Sequence, residues 1–228
     1  MTEHAHIDPL AHVAQPDHPD AMAEARAEAG RAVRDLGHSL VGHHASIDLV
    51  QRVTSTLDAL SAELDGGARR NRSQTSLRGE WGEVPEDGAA MSTYDERPVS
   101  GRSSPWGLDL EVRRQGDEVV AHVTFRAAHE GAPDRSHGGI VAALFDDVYG
   151  FVLALQRQPA FTGELSVRYE APVPIGAPLE CRVRMESAHG RKLYMVGELY
   201  DGDAVLARSK ATFITIPREL FYTSSEQG

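Results

Sequence analysis

The chain has 228 residues, 41% hydrophobic and 25% charged, which suits a globular chain of one to two domains. Its 23 Lys+Arg against 34 Asp+Glu give a net charge of −11, which repels phosphate backbones and argues against non-specific nucleic-acid binding. The first twenty residues lack the basic and apolar regions of a secretory signal, no run approaches the ~20 apolar residues of a membrane span, and the single Cys181 excludes an intrachain disulfide framework or a Cys-based zinc site. The expectation is a cytoplasmic protein with no membrane partner.

Residues 1–19, with Pro9, Pro16 and Pro19 and no periodicity, read as a disordered tail. A helical extension is expected over 20–67. Its first helix, 20–37, carries Met22, Ala25, Ala29, Val33 and Leu36 at helical spacing. Its second, 46–65, opens on Ser46 as N-cap and carries Ile47, Val50, Val53, Leu57, Leu60 and Leu64 before Gly66-Gly67 ends it. That narrow stripe suits packing against another surface, and an interaction or lid role on an oligomer is the expectation for 20–65. Residues 68–104, rich in Arg, Gly, Ser, Pro and acids, read as an irregular linker. Residues 1–97 hold 9 Arg, no Lys and 17 acids, and seven of the 11 His, so the two parts of the chain differ in kind.

From Trp106 the pattern changes. Strands are expected at 108–114 and 118–126, a polar loop at 127–136, and an apolar helix at 139–157. Four strands follow at 163–171, 178–188, 192–201 and 204–216, with turns at Gly176, Gly190 and Asp201-Gly202-Asp203. The order β-β-α-β-β-β-β predicts an α+β domain over 105–217 with one long buried helix and about six antiparallel strands, followed by a tail at 218–228.

Common catalytic signatures are absent: no G-x-S-x-G, no H-E-x-x-H, no phosphate-binding glycine loop. Cys181 lies mid-strand and reads as a small core hydrophobe. What remains is His137-Gly138-Gly139 at the start of the apolar helix, with Asp146-Asp147 two turns in. Backbone N–H groups at a helix start are unpaired and partially positive, and glycine lets a carbonyl approach them. That arrangement can serve as an oxyanion hole. A plain loop-to-helix turn is the alternative. A carboxylate among Leu144, Phe145 and Val148 needs a partner or a task, which marks Asp146. Asp147 is its competitor in register, and an acidic pair facing solvent is the other reading. Eight residues separate Gly138 from Asp146, ~12 Å along a helix. One carbonyl cannot touch both ends, so a two-fold dimer with antiparallel helices is expected if the site is real. The scattered His4, His6, His12, His18, His43 and His44 do not read as a metal site.

These residues resemble the hotdog-fold acyl-CoA thioesterase superfamily, in particular its phenylacetate-pathway (PaaI-like) branch. The resemblance covers roughly 104–217 and rests on EGAPDRSHGGIVAALFDDVYG, FTGELSVRYEAPVPIGAPLE and HGRKLYMVGELYDGDAVLARSKATFI. It implies a long helix wrapped by a curved antiparallel sheet. It also implies hydrolysis of acyl-CoA or acyl-carrier thioesters without a cofactor or metal, by a homodimer or homotetramer with sites at the subunit interface. By the same resemblance, Gly138, with Gly139 as an open second donor, offers N–H to the thioester carbonyl, and His137 shapes that pocket. Asp146 from the facing subunit acts as general base or nucleophile, and Thr162 hydrogen-bonds near the reacting water or carboxylate. Where some relatives carry Asn before the His-Gly-Gly, this chain has Glu130-Gly131-Ala132-Pro133. Arg191 and Lys192, at a turn, are candidates for the coenzyme A phosphates, a solvated cationic turn being the alternative. Phe145, Tyr149, Met185 and Tyr194 are candidates for an acyl channel, though each reads first as core. Two other readings stay open: a hotdog acyl-thioester hydratase, and a non-catalytic acyl-CoA sensor with a DNA-binding N-terminal part, which the −8 charge of residues 1–97 opposes.

Overall fold

The computed structural model describes residues 19–69 and 84–216. Residues 1–18 of the expected N-terminal tail, the expected tail at 218–228, residues 70–83 and the histidines at 4, 6, 12 and 18 lie outside the described residues.

Two helices open the described chain, α1 (Pro19–Gly42) and α2 (Ile47–Asp65). Ser46 caps α2 as expected, its hydroxyl accepting the Leu49 N–H at 3.2 Å. Irregular chain follows, and then the strands β1 (Glu111–Gln115) and β2 (Glu118–Thr124). A single 3-10 turn at Ala127–His129 leads into a small hairpin, β3 (Glu130–Ala132) and β4 (Arg135–Ser136), where a plain loop was expected. Helix α3 (Gly138–Gln156) comes next, then β5 (Ala160–Tyr169), β6 (Pro178–His189), β7 (Lys192–Asp201) and β8 (Ala204–Thr215). The large sheet is antiparallel throughout, in the order β1-β2-β6-β7-β8-β5. It wraps α3 in a hotdog fold.

The helix is apolar on nearly every side because the sheet surrounds it. Val141, Leu144, Phe145, Val148, Tyr149 and Val152 are fully buried. They meet the inward-facing residues of the strands: Val119, Ala121 and Val123, Leu179, Cys181 and Val183, Met195 and Leu199, Ala207, Ala211 and Phe213. Nineteen residues of mean hydropathy 1.7 are long and apolar enough to cross a bilayer, but here they form the core helix of the domain. The sheet makes room at one place. A Cβ on Gly197 would stand 2.8 Å from Val183 and about 3 Å from the Tyr149 hydroxyl and the Phe145 ring, so only glycine lets the helix sit this close. The buried, uncharged setting pushes the Cys181 thiol up, as fits a core residue.

The two edges of the sheet differ. Beside β1 runs the irregular chain 84–110, which bridges Ala90 to Arg113 and gives Met91 N–H to Val112 and Gly88 N–H to Arg114. Edge strand β5 has no such cover among the described residues. The described part of the expected linker, 84–104, is therefore a strap bound to the domain. Composition hides this because the strap is held through main-chain groups.

The N-terminal helices also depart from expectation. The buried residues of α1 are Ala27, Gly30, Arg34 and His38, while Met22 and Val33 of the expected stripe lie exposed. Helix α1 docks on backbone, not on an apolar surface. A Cβ on Gly30 would lie 2.5 Å from the Ser103 carbonyl oxygen. Arg34 gives its guanidinium to the Arg102 and Ser104 carbonyls at 2.9 and 2.6 Å and to Asp109 at 2.8 Å. Small residues and donors suit such a surface; an apolar stripe does not. No residue of α2 is buried, and its stripe from Ile47 to Leu64 is open to solvent in the protomer.

Candidate active site

The first turn of α3 is organised by His137. Its main chain caps the helix, and its Nδ1 accepts the Gly139 N–H at 3.0 Å. A ring accepting at Nδ1 carries its proton on Nε2. This corrects one expectation: the Gly139 N–H is spent on the cap, so Gly139 is not a free second donor. Among the described residues the Gly138 N–H has no acceptor, and it stands where the helix dipole favours negative charge. The capping segment is fixed from behind. The His137 N–H donates to the His129 carbonyl at 2.8 Å and the Ser136 N–H to the Val173 carbonyl at 2.8 Å. Gly131 crosses so close to His137 that a Cβ would fall 2.7 Å from its Cα.

Tyr169, which the sequence did not single out, sits over this turn. Its hydroxyl donates to the Gly138 carbonyl at 2.5 Å, at the end of β5.

Two turns along α3 the paired acids have opposite fates. Asp146 is half-buried, and its Oδ1 accepts the Thr162 hydroxyl at 2.7 Å. Of the pair, Asp146, which the sequence marked, is the carboxylate that remains reachable. Asp147 is buried and does not face solvent. Arg97 of the strap gives Nε to its Oδ1 at 2.7 Å and Nη2 to its carbonyl at 2.5 Å, and lies 5.1 Å over the Phe151 ring. Burial raises the Asp147 pKa, with Arg97 pulling the other way. Gly150, one turn on, leaves the space that this guanidinium fills.

How Thr162 comes to face the helix is itself informative. Side chains alternate along a strand, so Thr162 and Tyr169, seven apart, should point to opposite faces. The pairing of β5 with β8 slips between Thr162 and Glu164: Thr162 opposes Phe213, Glu164 opposes Thr212, and Tyr169 opposes Ala207. Gly163 is the extra residue of a bulge, and it returns Thr162 to the inner face beside Asp146. A glycine inside a strand was the sequence signal for it.

The remaining candidates separate. Phe145 and Tyr149 are fully buried between helix and sheet and belong to the core, so no acyl channel opens there within the protomer. Met185 and Tyr194 are partly buried. Arg191 and Lys192 are exposed at the β6–β7 turn, and Arg191 also gives Nε and Nη2 to the Thr215 carbonyl at 3.2 and 3.1 Å. Lys192 opposes Ile214, which opposes Phe161, so this cationic turn lies two strands, or about 10 Å, from the end of β5 that carries Thr162. Among the described residues no cluster of three or more His, Cys, Asp or Glu side chains could hold a metal ion.

Comparison with known proteins agrees with this fold. Residues 136–207 match the family model of the thioesterase superfamily. Acyl-coenzyme A thioesterase THEM5 of Mus musculus is 32% identical over 92 residues, 40% of this chain and 37% of that protein. Acyl-coenzyme A thioesterase THEM4 of Xenopus laevis is 28% identical over 87 residues, 39% of its length. The matched segments thus span less than half of these curated relatives. A solved structure described as a thioesterase superfamily protein matches 83% of this chain and 94% of its own at TM-score 0.68 and 25% identity. That share exceeds the residues from 84 to 216, so the likeness takes in part of the N-terminal helices.

Proposed function

With a thioesterase-superfamily hotdog domain as the premise, we propose that the protein hydrolyses acyl-CoA thioesters at sites shared by two copies of the chain. One observation carries this reading. A reachable carboxylate oriented by Thr162 and an unspent helix N-terminal amide lie eight residues apart on α3, too far to serve one carbonyl.

The open edge of β5 offers the solution. Antiparallel pairing of β5 with its mate about a two-fold axis centred on Ser166, with Gly163 again the extra residue, sets Thr162 opposite the partner's Tyr169. Thr162 carries Asp146 and Tyr169 carries Gly138, so each carboxylate then faces the partner's helix N-terminus.

The chemistry needs little more. A water held by Asp146 attacks the thioester carbonyl carbon and its proton passes to the carboxylate. Negative charge on the carbonyl oxygen is met by the partner's Gly138 N–H. Collapse breaks the C–S bond, and the thiolate leaves with the proton, giving acid and thiol. Direct attack by Asp146 to an anhydride that water then opens uses the same carboxylate. Thr162 holds one oxygen and leaves the other for the water. Arg191 and Lys192, at the Thr162 end of the sheet, are placed for the phosphates of coenzyme A.

The test is thiol release from acyl-CoAs of graded chain length, aromatic acyl groups included, by wild type and Asp146→Asn. A fall of ~10²–10⁴-fold is expected for a positioned acid–base group. Near-native turnover in a folded Asp146→Asn variant overturns the assignment.

A further inference from the structure

Helix α1 reaches the active-site turn through an unbroken series of contacts. On its inner face Asp35 binds Arg126 at 2.7 Å, His38 accepts the Ala128 N–H on Nδ1 at 3.1 Å, and Gly42 abuts the Ala127 methyl. These three points lie three and four residues apart, one face of a helix, and they grip consecutive residues of the 3-10 turn. That turn ends at His129, whose ring meets the His38 ring edge-on at 4.6 Å and whose Nδ1 accepts the Arg126 N–H at 3.0 Å. The carbonyl of the same His129 receives the N–H of His137, the residue that caps α3 and binds Gly139. From α1 to the oxyanion pocket there are therefore two hydrogen bonds and one short turn.

We propose that α1 is a positioning element of the active site, with His38 as the positioning residue that sets His137 and the Gly138 N–H through the 127–129 turn. This rests on the hydrolase reading for its catalytic consequence, but the mechanical coupling stands without it. The sequence pattern points elsewhere, to an apolar stripe, whereas the residue that couples is a buried polar one. Its Nδ1 must be an acceptor, so it must be neutral, and the burial of both rings beside the Arg126 and Arg34 guanidinia favours neutral rings over the opposing pull of Asp35 and Asp109. Asparagine can place an acceptor near the same point; leucine fills the space without one.

The test uses the full chain with His38→Leu and His38→Asn, read in two ways. Amide hydrogen exchange over 127–140 should quicken in His38→Leu and stay near wild type in His38→Asn, while exchange in β6, β7 and β8 is unchanged. In the thiol-release assay, His38→Leu should lower kcat about 3–10-fold with KM within two-fold, the loss of one neutral hydrogen bond felt in the transition state, and His38→Asn should recover most of it. Unchanged exchange at 127–140 in His38→Leu refutes the coupling whatever the enzyme does. Quickened exchange with kcat unaltered refutes the positioning role while leaving the hydrolase reading in place. A wild type that turns over no acyl-CoA defeats the hydrolase reading, and the exchange arm still decides the coupling.

Discussion

Asp146 and Asp147 are neighbours, yet one stays reachable beside Thr162 and the other is sealed against Arg97. The distinction comes from what packs on each side of α3: an edge strand with a hydroxyl on one side, a strap with a guanidinium on the other. Removing Arg97 strands a buried carboxylate. Arg97→Ala should lower unfolding free energy by about 2–4 kcal/mol in a denaturant titration. Arg97→Lys should recover little, because one ammonium cannot reproduce the fork that binds both the Asp147 side chain and its carbonyl. A loss under about 0.5 kcal/mol in Arg97→Ala would contradict this account of the strap. Of the proposed site residues, His137, Gly138 and Asp146 were legible in the sequence, because a cap, glycine at a helix start and a carboxylate in an apolar helix each leave a local mark, while Thr162 came only with the family resemblance. Tyr169 was not, since nothing in an aromatic residue at a strand end says that its hydroxyl closes over a helix start 31 residues upstream. The sealed Asp147 was equally hidden, its partner lying fifty residues upstream in a segment with no periodicity.

The elements of the domain were readable because each has a strong period. α3 and the six long strands appear within a few residues of their expected limits, and the turns fall at the expected glycines. Where main-chain groups supply the partners, the pattern is silent. α1 buries Arg34 and His38 against backbone, and the strap binds β1 by backbone pairing. The bulge at Gly163 lies between these cases: the glycine is visible, and its effect on the direction of Thr162 is not. Deleting Gly163 only closes the bulge and leaves Thr162 opposite Phe213 on the inner face, so the contact is tested at the hydroxyl itself. Thr162→Val should keep the fold, judged by circular dichroism and oligomer size, and lower turnover about 10–100-fold, the loss of one hydrogen bond to a charged group. Full activity in Thr162→Val would mean that the contact has no part in catalysis.

At the scale of the molecule, one sheet edge is covered and the other is open, and both halves of the proposed site hang on the open edge. The protomer holds the parts of a hydrolase but separates them by the length of two helical turns. In the proposed dimer the association of two copies joins them, which makes the site a property of the pair. Exchange of parts between protomers tests this most directly. Gly138→Pro deletes the N–H while suiting the first position of a helix, where proline's fixed φ is tolerated and the preceding His137 is already extended. Asp146→Asn deletes the base. Each variant alone should be nearly inactive. Unfolding and refolding the two together at equal concentration should give about half heterodimers, each with one doubly damaged and one intact site. Thiol release should then return to about a quarter of the wild-type rate per chain; a mixture no more active than the two variants measured separately would contradict the shared site.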